Sequence, residues 1–160
     1  MIYPIVTEPA PILRQKARPL DPGELNAPRL FKLVKDMVHT MVSAKGVGLA
    51  APQIGISERI IIVAPPGEEP IAVINPEITK RSIGASPSEE GCLSVPGTWG
   101  VVRRANAVTV KGLMPDGKPF RKNVRDFEAT IFQHEIDHIN GILFIDKAKD
   151  ITKLGIKTQI

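Results

Sequence analysis

Asp126-Phe127-Glu128-Ala129-Thr130-Ile131-Phe132-Gln133-His134-Glu135-Ile136-Asp137-His138-Ile139-Asn140-Gly141 is the stretch from which the rest of this chain can be read. Ala129, Ile131, Phe132, Ile136 and Ile139 recur at helical spacing. Asp126 stands where an N-cap is wanted and Gly141 where a helix stops, so the pattern predicts a largely buried helix. His134 and His138 are four residues apart and lie one above the other, so both rings can reach one cation. Glu135 points about 100° around the axis, towards the flank of that cation. The chain has only three histidines, so this register does not reflect a His-rich composition. A solvated helix face can carry the same five residues, but the apolar flanks bury this one, and buried His and Glu side chains need partners. A metal ion supplies one.

Composition narrows the classes. With 160 residues, 42% of them hydrophobic, residues 1–160 read as a single domain able to bury a core without disulfides. Fifteen prolines and thirteen glycines imply many turns. The one cysteine, Cys92, excludes an intramolecular disulfide and suits a reducing compartment. The apolar run Ile2 to Val6 is interrupted by Pro4 and followed by Glu8, too short for a signal peptide or a membrane span, so the expectation is a soluble cytoplasmic protein with no membrane partner. The net charge of +4 permits weak attraction to polyanions. Tyr3 and Trp99 are the only large polar aromatics, which leaves no aromatic-interleaved basic patch and argues against DNA as a partner. Lys149, Lys153 and Lys157 form an i, i+4, i+8 stripe. It reads either as solvated surface or as a cationic helix face able to touch ribosomal RNA, and Gly155 weakens the helical reading.

Pro28 opens a first helix with Leu30, Leu33, Val34, Met37, Val38 and Met41 on one face, ending before Gly46. His39 lies on or beside it and reads as structural. Short β-like runs follow at Arg59 to Ala64, Ile71 to Ile74, Lys80 to Gly84, Ala107 to Leu113 and Lys118 to Val124. Pro115, Asp116 and Gly117 supply hairpin-turn chemistry between the last two. Because the runs do not alternate regularly with helices, a doubly wound parallel sheet is disfavoured. The expected fold is α+β, with mostly antiparallel short strands packed around a central metal-binding helix and an N-terminal helix.

A catalytic metal site usually takes three protein ligands and keeps one position for solvent. Downstream, Phe144 occupies the place where some zinc peptidases have a third His, no Glu follows Glu135, and only Asp146 and Asp150 remain. Upstream, Cys92 sits in the polar, glycine-containing segment Glu90-Gly91-Cys92-Leu93-Ser94. A lone cysteine is usually a small buried hydrophobe. Next to two helix-borne imidazoles that lack a carboxylate third ligand, it is nevertheless the strongest candidate. The expected metal set is Cys92, His134 and His138. Asp137, inside the motif, needs a cation if buried, and Arg103 or Arg104 can provide it.

Three segments, Gly46-Val47-Gly48-Leu49-Ala50-Ala51-Pro52-Gln53, Glu90-Gly91-Cys92-Leu93-Ser94 and Gln133-His134-Glu135-Ile136-Asp137-His138, resemble in order and spacing the motifs of peptide deformylases, a resemblance running from Pro11 to Asp146. It implies an α+β fold and removal of the formyl group from N-formylmethionyl peptides and nascent chains. Iron(II) is the implied physiological metal, with zinc, nickel or cobalt able to take its place. Metal-bound water would attack the formyl carbon, with Glu135 as general base and then general acid. By the same resemblance Gln53 offers its side-chain amide and Leu93 its backbone N–H to the oxyanion, while Gly48 lets the substrate approach closely. Val47, Phe127 and Ile131 are candidates for an apolar methionine pocket, the last two because they precede His134 by seven and three residues. Ile139 stands where the family commonly has Leu, and Trp99 where an Arg is often found, which leaves contacts to later substrate residues open. A small metallopeptidase and a non-enzymatic, metal-stabilised RNA-binding module are the competing readings.

Overall fold

The computed structural model describes residues 1–153. In chain order the elements are α1 (Pro28–Ser43), β1 (Gly48–Ala50), β2 (Ile60–Val63), β3 (Ile71–Arg81), β4 (Ala85–Cys92), β5 (Val95–Ala105), β6 (Ala107–Leu113), β7 (Pro119–Arg125), α2 (Asp126–Ile139) and β8 (Lys149–Lys153). The strands form a five-stranded sheet in the order β1-β2-β3-β6-β7 and a three-stranded sheet in the order β4-β5-β8. Every pairing between these strands is antiparallel. This is the α+β arrangement expected, with α2 at its centre. No helix of the described residues is long and apolar enough to cross a membrane.

The sequence Ile60-Ile61-Ile62-Val63 shows why the helices sit where they do. All four side chains of β2 are fully buried, as a strand covered on both faces requires. Because side chains alternate along a strand, Ile61 and Val63 pack with Phe132, Ile136 and Ile139 of α2. Ile60 and Ile62 point the other way, onto Leu30, Leu33, Met37 and Met41 of α1. The sheet is thus held between the two helices, and α2 is buried along nearly its whole length. Its C-terminal end is fixed by Arg59, whose guanidinium donates to the Ile139 carbonyl at 3.2 Å and to Asn140 Oδ1 at 2.9 Å. Gly141 follows at φ +76°, and a Cβ there would lie 2.6 Å from the Arg14 carbonyl oxygen, so the stop needs glycine twice over.

Several expectations are corrected. Asp126 does not cap α2 with its side chain; it is the first helical residue, at φ +53°, and Arg125 occupies the N-cap position. The run at Ile71 to Ile74 and the first two residues of the run at Lys80 to Gly84 belong to one strand, β3, whose register against β6 shifts twice. The expected β-like runs leave out residues 85–105, which form a long hairpin, β4 and β5, with Cys92 at its end. Lys149 and Lys153 lie at the ends of β8, paired with β5, rather than on a helix; Lys157 falls outside the described residues. His39 is exposed on α1, in keeping with a structural role.

Candidate metal centre

Cys92 is brought to α2 at a break in the strand register. The β4/β5 register pairs Glu90 with Gly100 and Gly91 with Trp99, then slips so that Cys92 faces Val95. Gly91 allows the Trp99 ring to lie on the strand, since a Cβ there would come within 2.8 Å of it. Cys92, fully buried, ends with Sγ 3.2 Å from His138 Nε2. The ligand atoms of Cys92, His134 and His138 all lie within 4.8 Å of one another. Metal–sulfur and metal–nitrogen bonds of about 2.3 and 2.0 Å in tetrahedral geometry place S and N about 3.5 Å apart, close to the 3.2 Å between Cys92 Sγ and His138 Nε2. Asp146, by contrast, is engaged with Arg14 and the Leu143 N–H.

The polar atoms fit a cation as well. His134 Nδ1 donates to Glu90 Oε1 at 2.8 Å, which leaves Nε2 as the lone-pair nitrogen. His134 Nε2, His138 Nδ1 and both carboxylate oxygens of Glu135 are buried without a hydrogen-bond partner among the described residues. Burial pushes the Cys92 thiol up to about 12, reinforced by the charges of Glu135 and Glu90 against backbone N–H bonds from Ser94 and Val95. It also holds His138 well below the usual imidazole range, hence neutral. A bound cation reverses the thiol's preference by stabilising the thiolate.

Behind His134 lies a buried charge network. Burial pushes Glu90 up, but hydrogen bonds from Arg104 and His134 outweigh it and hold the carboxyl below its ordinary range. Arg104 grips Glu90 through Nε and Nη2, both at 2.8 Å, and reaches Asp137 through Nη1 at 2.7 Å. Lys147 Nζ adds two bonds of 2.9 Å to Asp137. The cation expected beside Asp137 is therefore Arg104, joined by Lys147. Sequence reasoning missed Glu90 as the partner that fixes the His134 tautomer. The available signal was an acid two residues before a candidate ligand cysteine.

Glu135 is fully buried, and burial, followed by the Glu90 charge, raises its carboxyl well above the usual range. Gly48 makes room for it: a Cβ there would meet Glu135 Oε1 at 2.2 Å and Cγ at 2.9 Å. The absence of a side chain at Gly48 thus has a structural cause beside any contact with a ligand. Gln53 is oriented by the Ala50 N–H, which donates to its Oε1 at 2.9 Å. Its Nε2 then donates to Ser94 Oγ at 3.1 Å and to Cys92 Sγ at 3.6 Å. Leu93 turns immediately after Cys92, its side chain in the core that covers α1. The segments carrying Gln53 and Cys92 are laced together by one extended stretch, as Val6 N–H bonds the Gln53 carbonyl and Glu8 N–H the Ser94 carbonyl.

A cavity of about 260 Å³ lies at the start of α2, lined by Ser86, Ser88, Arg104, Asn106, Phe127 and Thr130 among others. Phe127, 45% exposed, and Thr130 stand two turns and one turn before His134. Ile131 does not line this cavity; it is fully buried in the core with Val63 and Val108, and Val47 packs against the same cluster. The reason is helical geometry: one residue further on, the side chain rotates by about 100° into the sheet.

Residues 2–154 match the family model for polypeptide deformylase. A peptide deformylase of Desulforudis audaxviator is 47% identical over 152 residues, covering 95% of this chain and 97% of its own. Among solved structures, a class I type b peptide deformylase from Acinetobacter baumannii superposes with a TM-score of 0.90 at 43% identity, over 91% of this chain and 99% of that one. The Met-Ala-Ser-bound structure of the Acinetobacter enzyme gives a TM-score of 0.89 at 41% identity, over 92% of this chain and 98% of that one. With its three motifs folded onto one buried centre, the chain belongs to the polypeptide deformylase family, enzymes that remove the N-terminal formyl group.

Proposed function

We propose that this chain hydrolyses the formamide of N-formylmethionyl peptides, above all nascent chains, at a divalent cation held by Cys92, His134 and His138. The observation that carries the reading is Glu135, whose two oxygens are buried and unpartnered among the described residues beside three converging ligand atoms. Iron(II) is the proposed physiological ion, with zinc, nickel or cobalt able to occupy the same donors. A cation bound there would acidify water and polarise the formyl oxygen, though the thiolate would make it a weaker Lewis acid than a site of neutral imidazoles. A protein base is therefore needed.

Glu135 takes the proton of the attacking water and passes it to the amine nitrogen as the C–N bond breaks, releasing formate and a free N-terminus. Its burial favours the protonated form it must adopt between the two transfers. The Gln53 amide, held by Ala50, and the Leu93 backbone N–H stabilise the developing oxyanion. Phe127, with Thr130 beside it, supplies a wall for the methionine side chain, backed by the core in which Val47 and Ile131 pack, and Gly48 admits the peptide next to Glu135. The tripeptide Met-Ala-Ser bound to the Acinetobacter relative is the product that deformylation of formyl-Met-Ala-Ser would leave, which supports this substrate class. A cytoplasmic location and a weak ribosome contact through basic surface complete the reading.

The test is anaerobic purification with metal quantification, followed by assays on formyl-Met-Ala-Ser and on an internally cleavable peptide. Glu135→Gln is expected to retain metal while turnover of the formyl peptide falls about 10²- to 10⁴-fold. Turnover equal to that of the parent removes Glu135 as the proton carrier, and cleavage of the internal peptide instead of deformylation favours a metallopeptidase.

A further inference from the structure

A second cavity, of about 340 Å³, is lined by Lys80 and Arg81 of β3 and by Arg121 and Arg125 of β7, with Thr109 and Asn123 between them and no carboxylate. The register explains the concentration of charge. Lys80 faces Thr109, which faces Asn123, while Arg125 faces Ala107 and Arg121 faces Lys111. On β7, Arg121, Asn123 and Arg125 are exposed and Val124 is buried, so Lys80, Arg121 and Arg125 share the outer face of the sheet, while Arg81, opposite Val108, turns to the α2 side. Like charges directly opposite on adjacent strands are destabilising, and Lys111 against Arg121 is such a pair. Neighbouring cations are neutralised, Lys122 by Glu128 and Arg104 by Glu90 and Asp137. Lys80, Arg121 and Arg125 have no ion-pair partner among the described residues, and Glu77, across from Lys111, is the one acid aligned with the group in the strand register.

We propose that this face binds the phosphodiester backbone of double-stranded RNA. Guanidinium groups match phosphate oxygens in pairs, and a row of them fixed on rigid strands keeps its spacing. Sheets that bind single strands stack bases on aromatic side chains, and the outward positions here, Thr109, Lys111, Arg121, Asn123 and Arg125, include none. Contact is therefore to phosphate, not to bases. On the other side of the sheet Arg81 ties β3 to the candidate metal helix, its Nη1 donating at 3.1 Å to Oε1 of Gln133, the residue before His134. Duplex RNA is also a partner that an enzyme of new polypeptides would meet. That use rests on the proposed deformylase reading, whereas the binding does not.

The experiment is fluorescence anisotropy of a labelled RNA hairpin with the whole chain, across a salt series and without peptide. Four phosphate contacts, from Lys80, Lys111, Arg121 and Arg125, give a slope of log K against log salt of about −3.6, or a loss of about 150-fold between roughly 50 and 200 mM. Lys80→Ala with Arg121→Ala is expected to halve the slope to about −1.8 and the loss to about 12-fold, with formyl-peptide hydrolysis unchanged. Arg121→Glu places an opposite charge across from Lys111, so its Tm is expected to hold or rise while RNA affinity falls, which separates loss of the surface from loss of the fold. Equal slopes for parent and double variant overturn the proposal. So does equal competition by polyglutamate, and a DNA duplex of the same length bound as tightly as the hairpin overturns the assignment to RNA.

Discussion

Replacing Arg104 with Ala tests the charge network behind the metal helix. The guanidinium is nearly inaccessible and makes three bonds of 2.7–2.8 Å, two to a Glu90 that is wholly buried and one to Asp137. Asp137 would keep Lys147, but Glu90 would retain only the His134 N–H. Removing one partner of a buried ion pair costs about 3–5 kcal/mol, because the remaining charge stays buried. For a chain of this size each kcal/mol moves Tm by about 2–4 °C, so a fall of at least about 6 °C is expected. Because Glu90 fixes the His134 tautomer, metal affinity should also drop about 10- to 100-fold. Circular-dichroism melts and metal analysis after gel filtration measure both. Arg104→Met combined with Glu90→Gln separates the two effects: without a buried charge at Glu90, stability should recover while metal affinity stays low. A single variant that melts within about 1 °C of the parent and holds metal equally would refute the reasoning.

Two further outcomes follow from the geometry. Gly48→Ala would force the Glu135 carboxylate away from a Cβ placed 2.2 Å from its Oε1, so kcat is expected to fall nearly as far as in Glu135→Gln while metal content is retained; undiminished turnover would contradict the crowding. In metal-free protein the Cys92 thiol holds its proton up to about 12, against an ordinary value of 9.0. Its folded value is raised, so this contribution to stability is complete below pH 9 and lost as pH climbs towards 12, on the order of 4 kcal/mol in all. Denaturant melts of metal-free parent and Cys92→Ala should therefore converge with rising pH over that window, and parallel curves would show that the thiol is not so held.

Sequence reading recovered the parts of this molecule set by local pattern. The α2 pattern of Ala129, Ile131, Phe132, Ile136 and Ile139 buries as its period requires, and the β6/β7 hairpin turns where Asp116 and Gly117 stand. What escaped was tertiary. Strand β4, with Ser86, Pro87, Ser88, Glu89 and Glu90, has no apolar alternation; it is a strand because β5 pairs with it and because Arg104 neutralises Glu90 while His134 donates to it. The lysine stripe suggested a helix from spacing alone, yet Lys149 and Lys153 pair onto the edge of β5, which no local preference encodes. Ile131 and Thr130 show the limit of counting from His134, because one step around the axis exchanges cavity for core.

The central claim is one cation held by sulfur from the β4/β5 hairpin and two nitrogens from α2. X-ray absorption on anaerobically loaded protein measures that directly. The expected first shell has one sulfur at about 2.3 Å and two imidazole nitrogens at about 2.0–2.1 Å, with the sulfur lost in Cys92→Ser. A shell of nitrogen and oxygen alone in the parent, or a sulfur signal that survives in Cys92→Ser, would contradict it.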